Sequence, residues 1–314
     1  MAALRKKKID SVHRRILSWY RTSHRKFLWR STRDPHIVLL SEIMLQQTQA
    51  RRVQEKLPPF LRKFPTMSAL ARSSKADVIR AWQGMGYNNR AVRLRDLARI
   101  VMEKHDGALP SDAVELEKLP GIGRYTASAI ECFSHGKNVP VVDINVQRVL
   151  SRLFRKVRDS SELMDQKEVW RLASRILPRD AYGWNQALME LGGTICTARM
   201  PKCDACPVAD CCSSRAVARR VKLRATSRKI HAEPTYAGIP RRIWRGRIVE
   251  ILRNEREGRP LTIRQVGRRI NSTLGSRELP GLRWIAELVR SLERDGLVQT
   301  TGHSGSAKVA LANG

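Results

Sequence analysis

Four cysteines near the middle of the chain limit its possible folds more than any other feature. Cys196, Cys203, Cys206 and Cys212 follow the spacing Cys-x6-Cys-x2-Cys-x5-Cys. Thiolate sulfur is the preferred ligand of iron–sulfur clusters, and four thiolates at such short intervals can close around one [4Fe–4S] cube. The spacing therefore predicts an irregular loop held by a metal centre, with these four cysteines as its ligands.

A structural zinc site is the alternative for the same residues, since all-cysteine zinc sites also use Cys-x2-Cys pairs. Such sites usually combine two of these pairs, and only Cys203 and Cys206 have that spacing here. A disulfide set is disfavoured, because Cys132 and Cys211 would be left over and no signal peptide is expected. The spacing thus favours a cluster and leaves zinc open.

The charge of the chain indicates a polyanionic partner. Its 314 residues include 60 Lys and Arg against 29 Asp and Glu, a formal net charge of +31. Such an excess favours contact with nucleic-acid phosphates. A membrane surface is disfavoured, because no long apolar run and no lipidation signal occurs. We expect an intracellular protein, cytoplasmic and nucleoid-associated in a prokaryote, with no secretion signal.

The distribution of apolar residues predicts a mainly α-helical chain with a separate C-terminal part. Apolar residues recur at helical spacing from Ile9 to Cys212. The stretch from Ser213 to about Pro240 is polar, basic and rich in turn residues. The pattern therefore predicts a helical domain at residues 1–225, a linker at residues 226–240 and a C-terminal domain at residues 241–314.

The C-terminal domain has the element order of a winged helix-turn-helix, in which three helices precede a β-hairpin. Its third helix would be the recognition helix, with Arg283, Trp284 and Arg290 as candidate DNA contacts. A protein-docking module is the alternative. The predicted elements are helices at Arg242–Leu252, Ile263–Ile270 and Leu282–Glu293, strands at Leu297–Thr300 and Lys308–Leu311, and a turn at Gly302–Gly305.

A glycine turn between two predicted helices indicates a phosphate site. In the segment Leu119–Thr126, Gly121 and Gly123 permit a tight turn and a close approach of the backbone to a ligand. The helix that follows, beginning near Arg124, presents free N–H groups and the positive end of its dipole. A helix-hairpin-helix of this kind holds a DNA phosphate without reading sequence. Alone, Gly-x-Gly is more often a simple turn; its place in a strongly basic chain favours DNA binding.

Two carboxylates are candidate catalytic groups. Glu42 interrupts an apolar run from Ile37 to Leu45, and desolvation there would favour the protonated form that a general acid needs. Asp143 precedes a predicted helix and could stabilise a developing cation, with Asn145 nearby to orient it. The alternatives are a surface glutamate for Glu42 and a helix N-cap for Asp143.

Together these features resemble the helix-hairpin-helix (HhH-GPD) DNA glycosylases that carry an iron–sulfur cluster. The hairpin, the segment with Asp143 and the cysteine loop occur in that family's order and at its separations. Within it, the chain is similar to the MutY-type adenine glycosylases, which remove adenine opposite 8-oxoguanine. The stretches that carry this similarity are Leu28–Arg30, Arg33–Pro35, Ser41–Gln49, Gly84–Tyr87 and Asn185–Gly192.

The resemblance implies a two-lobed helical fold, a structural [4Fe–4S] cluster and a monomer that acts on damaged or mismatched double-stranded DNA. It implies that Glu42 protonates the leaving adenine, that Asp143 faces the sugar cation and that Tyr125 assists at the same centre. The implied base pocket comprises Trp29, Arg30, Glu190 and Asn145, and the implied DNA contacts are Gln47, Tyr87, Gly121, Gly123 and Arg124.

Several positions depart from the family pattern. Ile144 stands where MutY patterns usually have Gly, and Asn88 stands where a second Tyr is frequent. The C-terminal part does not resemble the Nudix-like domain that reads 8-oxoguanine in MutY proteins. Tyr125 occupies the position at which endonuclease III-type relatives have Lys, which argues for a monofunctional hydrolase rather than a Schiff-base lyase.

Two other functions stay open at the level of sequence. One is a glycosylase for thymine or uracil opposite guanine, a related group that shares Tyr at the hairpin and Glu in the segment of Glu42. The other is a non-enzymatic iron–sulfur DNA-binding sensor. The set of Glu42, Tyr125 and Asp143 favours the enzyme, and the segments with Gln47 and Glu190 favour adenine.

Overall fold

The computed structural model describes residues 2–218, 233–255, 259–274, 280–302 and 307–314. These residues form fifteen α-helices and five short strands, so the prediction of a mainly helical chain is confirmed. In chain order the helices are α1 (Ala2–Ser23), α2 (Pro35–Leu45), α3 (Ala50–Lys63), α4 (Met67–Arg72), α5 (Lys75–Ala81), α6 (Asn89–Lys104), α7 (Ala113–Glu117), α8 (Arg124–Phe133), α9 (Ile144–Phe154), α10 (Gln166–Arg175), α11 (Ala181–Thr194), α12 (Arg215–Ala218), α13 (Arg241–Arg253), α14 (Ile263–Leu274) and α15 (Leu282–Arg294).

The chain forms two compact units, each assembled from separate stretches of sequence. The first unit contains Met1–Val38, Ser111–Glu117 and Ile122–Arg228. The second contains Leu39–Pro110, Lys118–Gly121 and Lys229–Gly314. Among the described helices, none is long and apolar enough to cross a membrane.

The first unit is built around α1, α9, α10 and α11. Its core joins Val12 and Ile16 of α1 to the apolar faces of α9 and α11, where Trp184 is almost fully buried. Helix α9 begins at an N-cap, because the Asp143 side chain accepts a hydrogen bond from the backbone N–H of Val146. Helix α10 begins with a capping box formed by Asp165 and Glu168. These caps fix the start of the helices that carry the candidate site.

The second unit combines helices α3–α6 with the C-terminal helices and strands. Its strands are β1 (Thr235–Tyr236), β2 (Ile239–Pro240), β3 (Leu261–Thr262), β4 (Val298–Thr301) and β5 (Lys308–Leu311). The last three form an antiparallel sheet in the order β3-β5-β4, with Val298 opposite Leu311. The predicted C-terminal helices and both predicted strands are present, with bounds shifted by a few residues.

Part of the predicted linker folds as a hairpin that the sequence pattern did not indicate. Strands β1 and β2 pair across Ala237 and Gly238, which have φ values of 49° and 71°. Two successive positive φ values are the geometry of a tight hairpin turn. Tyr236 then stacks on Trp284 with ring centroids 5.8 Å apart. Residues 226–232 of the predicted linker and residues 303–305 of the predicted turn lie outside the described residues.

The apolar core of the second unit is continuous across the predicted domain boundary. Ala76 and Ile79 of α5 and Val92 of α6 belong to the same buried cluster as Trp244 and Ile248 of α13. Polar contacts reinforce this packing. The Arg253 guanidinium donates to the Ile79 carbonyl at 2.9 Å. Helices α5 and α6 therefore bury part of their apolar surface only when the C-terminal segment is present.

Deletion of residues 233–314 should consequently destabilise the rest of the second unit. The deletion would expose Ile79 and Val92. Their burial contributes about 3–5 kcal/mol to the free energy of unfolding, and this contribution would be lost. We expect the melting temperature to fall by about 10 °C, as measured by circular dichroism. The exposed Arg283 provides the control, since Arg283→Ala should leave melting unchanged. A truncated protein with the same melting temperature as the full chain would show that α5 and α6 do not depend on the C-terminal segment.

Candidate active site

Asp143 is held at both carboxylate oxygens at the start of α9. One oxygen accepts from the Val146 backbone N–H at 2.7 Å. The other accepts from Asn145 Nδ2 at 2.7 Å. The helix-cap interpretation of Asp143 is therefore correct, and Asn145 orients it as expected. The same hydrogen bonds present a fixed anionic group beside the exposed Ile144.

A chain of hydrogen bonds runs from Asp143 to the cysteine loop. Arg148 Nη2 donates to Asn145 Oδ1 at 2.9 Å and to the Gly192 carbonyl at 2.8 Å. Arg148 Nε donates to the Cys196 carbonyl at 2.8 Å. Burial lowers the pKa of Arg148, and the neighbouring Cys196 acts in the opposite direction. Arg148 thus connects the candidate catalytic carboxylate to the first cysteine of the loop.

Gly192 lets α11 approach this chain closely. A Cβ atom at Gly192 would lie 2.8 Å from the Cβ of Asn145 and 3.2 Å from its carbonyl oxygen. Real Cβ atoms do not approach that closely, so any side chain here would displace Asn145. The glycine in the Asn185–Gly192 stretch therefore has a packing reason.

Glu190 lies in a buried ion cluster in the same unit. Its side chain has no exposed surface, and it accepts from Arg25 Nε at 2.7 Å and from Arg30 Nη1 at 2.8 Å. Burial by itself would raise the pKa of Glu190, but hydrogen bonds from Arg25 and the charge of Arg30 hold it below its ordinary value. Glu190 is therefore anionic at neutral pH, and it is in direct contact with Arg30, another residue of the predicted base pocket.

The other predicted residues of the first unit occupy defined places. Trp29 is buried and stacks on Phe27 with centroids 4.6 Å apart. Tyr125 is half-buried in the first turn of α8 and packs against the cluster that contains Phe133. The Arg124 guanidinium lies over the Trp170 ring, 4.0 Å from its centroid. That contact draws Arg124 toward α10.

The four cysteines of the loop line one small cavity of the first unit. Cys196, Cys203, Cys206 and Cys212 all border it, whereas Cys211 does not. Burial raises the pKa of Cys206 to about 11, and the other three thiols add to this rise. Arg152 Nη1 donates to Cys196 Sγ at 3.4 Å. Within the described ranges, no three His, Cys, Asp or Glu side chains are close enough to ligate a single metal ion.

Glu42 is buried in α2 with 4% of its surface exposed, as predicted from its apolar surroundings. It belongs to the second unit, as do two exposed residues expected to enter DNA. Gln47 and Tyr87 both have positive φ values, 56° and 44°, which are unusual for residues other than glycine. Such a backbone persists only when its surroundings hold it. Both residues therefore stand at the tips of constrained loops.

Arg90 of α6 is the group that constrains both loops. Its guanidinium lies 5.2 Å from the centroid of Trp82, and burial lowers its pKa to about 10, so it stays charged at neutral pH. It donates to buried carbonyls at the end of α2 that have no partner within the helix, where the helix dipole favours a cation. Its acceptors are the carbonyls of Ile43, Met44, Gln46, Met85 and Gly86 and the Thr48 hydroxyl, at 2.6–3.1 Å.

The glycine hairpin contacts the same loops. Gly121 has a φ of 83°, so glycine is required there, and its carbonyl accepts from Gln46 Nε2 at 3.4 Å. Gly123 has an ordinary φ, and no atom lies within 4 Å of where its Cβ would be. Open space at Gly123 is what close approach of a phosphate requires. Gly121, Gln46 and Arg90 thus form one connected set within the second unit.

The arginines predicted as DNA contacts on α15 are exposed, whereas the tryptophan is half-buried. Arg283 and Arg290 both lie on the exposed surface of the helix. Trp284 instead packs against Tyr236 and the core of the second unit. Its ring thus completes the packing of the β1–β2 hairpin, and its contact with DNA stays a prediction.

Sequence reasoning missed Arg25, Arg90 and Arg148, which organise the site. Each is one arginine among many in a basic chain, so residue type alone gave no signal. An arginine within the mainly apolar turns of α6 or α9 is the trace that remains in the sequence, because such a position is buried. Only the identity of the acceptors distinguishes these arginines from surface ones.

Known proteins are similar to this chain over much of its length. Residues 40–175 match the family described as HhH-GPD superfamily base excision DNA repair protein. The adenine DNA glycosylase of Mycobacterium tuberculosis is 40% identical over 240 residues, covering 76% of this chain and 77% of that protein. The thymine/uracil-DNA glycosylase of Methanothermobacter thermautotrophicus is 34% identical over 203 residues, covering 63% of this chain and 90% of that protein.

A solved structure shows the same fold. The structure of a thermostable thymine-DNA glycosylase superposes with a TM-score of 0.63 at 32% identity, covering 67% of this chain and 98% of that one. The family match at residues 40–175 contains both Glu42 and Asp143. The chain belongs to the HhH-GPD superfamily of base excision DNA repair proteins, in the branch that contains the adenine DNA glycosylases.

Proposed function

We propose that the protein is a monofunctional DNA glycosylase that hydrolyses the N-glycosidic bond of adenine mispaired with 8-oxoguanine or guanine. Among the structural observations, the Asp143 carboxylate, fixed at both oxygens by Val146 and Asn145, carries the proposal. The identity with adenine DNA glycosylases over three quarters of the chain supports the choice of base. The protein would act as a monomer, and its ligand would be double-stranded DNA that contains the mispair.

The reaction asks for a proton at the leaving base and negative charge at the sugar. Protonation of adenine at N7 makes it a neutral leaving group, which is the task of Glu42. The sugar becomes oxocarbenium-like in the transition state, and an anion placed beforehand stabilises it. Asp143 supplies that anion, because two donors hold its two oxygens in a fixed orientation. Tyr125, two residues after the hairpin glycine, lies at the start of the helix that would face the same strand.

The base must leave the duplex before either group can act. Gln47 and Tyr87 suit this step, since each is exposed at the tip of a loop held by Arg90. Glu190 is anionic at neutral pH and suited to the amino edge of adenine. Both its oxygens accept from arginines, so contact with the base requires a movement of Arg25 or Arg30.

The cysteine loop fits a [4Fe–4S] cluster. The four thiols line one cavity, and their single Cys-x2-Cys pair favours a cluster over a structural zinc site, which usually combines two such pairs. Cys196, Cys203, Cys206 and Cys212 would hold it. When bound, the cluster supplies a covalent cross-link of the loop. Arg152 and Arg148 would then position the loop against α9 through their bonds to Cys196.

The C-terminal segment is proposed to be a winged helix. Its element order, from α13 through β3, α14, α15, β4 and β5, with β5 central in the sheet, supports this assignment. It takes the place of the Nudix-like domain of MutY proteins. Selection of the base opposite adenine therefore needs a different set of contacts from that of MutY proteins.

Excision of thymine or uracil opposite guanine is the second candidate. The 34% identity to a thymine/uracil-DNA glycosylase and the structural match to a thymine-DNA glycosylase favour it. Neither pyrimidine has the N7 acceptor of a purine. Glu42 would therefore have no equivalent ring nitrogen to protonate. Single-turnover excision from duplexes with adenine, thymine or uracil opposite guanine and 8-oxoguanine distinguishes the two functions.

Substitution of the two carboxylates tests their roles directly. Asp143→Asn should lower single-turnover adenine excision at least about 100-fold while duplex binding persists, because Asn still caps a helix but lacks the charge. Glu42→Gln should also lower adenine excision while duplex binding persists, because glutamine cannot donate the proton that the leaving adenine needs. Matched controls are Asp165→Asn, which changes an N-cap elsewhere, and Glu131→Gln, which changes a buried glutamate elsewhere. Wild-type excision by Glu42→Gln would contradict the acid assignment.

Metal analysis tests the cluster. Protein purified without oxygen should contain about four irons per chain and absorb broadly in visible light. Cys206→Ser should lose most of the iron, because it removes one ligand. Cys211→Ser, its neighbour in the same loop, should keep it, since Cys211 does not border the cavity. Stoichiometric zinc in place of iron would exclude the cluster.

Arg90→Met tests whether the two loops depend on one guanidinium. The substitution leaves several buried carbonyls without a donor, so unfolding should become easier by about 3 kcal/mol or more. Excision should fall further than duplex binding, because Gln47 and Tyr87 lose their fixed backbone. Arg95→Met is the control, since Arg95 lies on the same helix and is similarly buried, but among the described residues it donates only to the Ser73 carbonyl and to Asp96. Equal effects of the two variants would show that Arg90 has only a general packing role.

A further inference from the structure

A large groove runs beside the Tyr87 loop in the second unit. One wall is the segment Met85–Asn89, and the other is formed by α13 and the end of α15. The groove is open to solvent and has a volume of about 830 Å³, many times that of a water molecule. Four arginines of α13 line it, namely Arg241, Arg242, Arg245 and Arg247.

The arginines and carboxylates that line the groove are not equally paired. Each of the three carboxylates has an arginine partner: Glu233 with Arg242, Asp295 with Arg245, and Glu250 with Arg253. Arg241 and Arg247 have no carboxylate partner within the described ranges. Among the residues that the structure describes, two positive charges of the groove therefore have no paired carboxylate.

Buried donors of the same two arginines also lack acceptors. Arg241 Nε and Arg247 Nη1 are buried and make no hydrogen bond to any described residue. A buried guanidinium nitrogen without an acceptor costs free energy. In native proteins, most buried polar groups have a hydrogen-bond partner in the protein or in bound water. The Arg247 guanidinium lies 5.0 Å from the centroid of Trp244, so this contact pre-orients it. An acceptor with several anionic oxygens would satisfy both groups.

Exposed apolar groups mark one end of the groove. Tyr87 is 51% exposed and Ile243 is 42% exposed, and both line it. Asn88, the next residue along the loop, accepts from Arg253 Nη2 at 2.7 Å. The loop that carries Tyr87 is thus tied to α13. A ligand that meets Tyr87 must continue past the arginines of this helix.

We propose that this groove binds the sugar–phosphate backbone of the DNA strand whose bases Tyr87 separates. The inference rests on the proposed glycosylase function for the role of Tyr87. Arg241 and Arg247 are six residues apart on a helix, a span of about 9 Å at 1.5 Å per residue. Successive phosphates of one strand advance about 3.4 Å along the duplex, so the two arginines span two to three phosphates. The site is separate from the exposed arginines of α15.

Salt dependence of duplex binding tests the proposal. The double variant Arg241→Gln, Arg247→Gln should reduce the slope of log Kd against log salt by about 2, because each phosphate contact contributes about 0.9. Affinity at physiological salt should fall at least about tenfold. The measurement uses both an undamaged duplex and one with adenine opposite 8-oxoguanine. Phosphate contacts carry no sequence information, so both duplexes should change equally.

A matched control removes two charges elsewhere in the same segment. Arg264 and Arg268 of α14 are exposed and outside the groove, so Arg264→Gln, Arg268→Gln should leave the slope within experimental error. The charge-preserving double variant Arg241→Lys, Arg247→Lys should keep most of the slope. It also guards against misfolding, because loss of the slope in this variant with a lowered melting temperature would trace the effect to packing and overturn the proposal.

Other outcomes are equally decisive. An unchanged slope in a folded Arg241→Gln, Arg247→Gln protein would overturn the proposal and assign the groove to a partner other than DNA. If Arg283→Gln, Arg290→Gln reduces the slope of log Kd against log salt instead, the contact with the DNA backbone belongs to α15. Absence of adenine excision by the wild-type protein would defeat the proposed function alone, because the slope on undamaged duplex does not depend on catalysis.

Discussion

Donation from a buried guanidinium to main-chain carbonyl groups is the interaction on which both units depend. Arg148 joins the Asp143 segment to the cysteine loop, and Arg90 joins the end of α2 to the Tyr87 loop. Arg253 joins α13 to α5. A planar guanidinium has five donors in a fixed geometry, so one side chain can satisfy several orphan carbonyls at once. Loops that lack regular hydrogen bonding are held in place in this way.

The same interaction decides which groups stay charged. Glu190 keeps its negative charge in a fully buried position because Arg25 and Arg30 bind it. Asp143 needs no arginine of its own, since a backbone N–H and the Asn145 amide hold it, and Arg148 holds the Asn145 oxygen. Fixed charges in a dry environment are effective at stabilising developing charge, because they need no reorganisation during the reaction. A glycosidic bond that breaks to give a sugar cation demands this arrangement.

The C-terminal segment is part of the second unit rather than an appendage. Its core is shared with α5 and α6, and its first helix forms one wall of the groove beside Tyr87. The position of Asn88, where related glycosylases often have a second tyrosine, becomes understandable. Its side chain accepts from Arg253, so it connects the loop to α13. Asn88 thus has a structural role that depends on the C-terminal segment.

Local features of the sequence determined much of this protein. Helical periodicity, the Asp143 cap, the positive φ at Gly121 and the burial of Glu42 each depend on a few consecutive residues, and all were predictable. The long-range contacts were not. Arg90 reaches a carbonyl 47 residues away, and Arg253 reaches one 174 residues away. A long charged side chain looks the same in sequence whether it faces solvent or a buried carbonyl, because only folding sets which acceptors come within its reach. The tertiary structure alone therefore decided which arginines build the site and which remain for DNA.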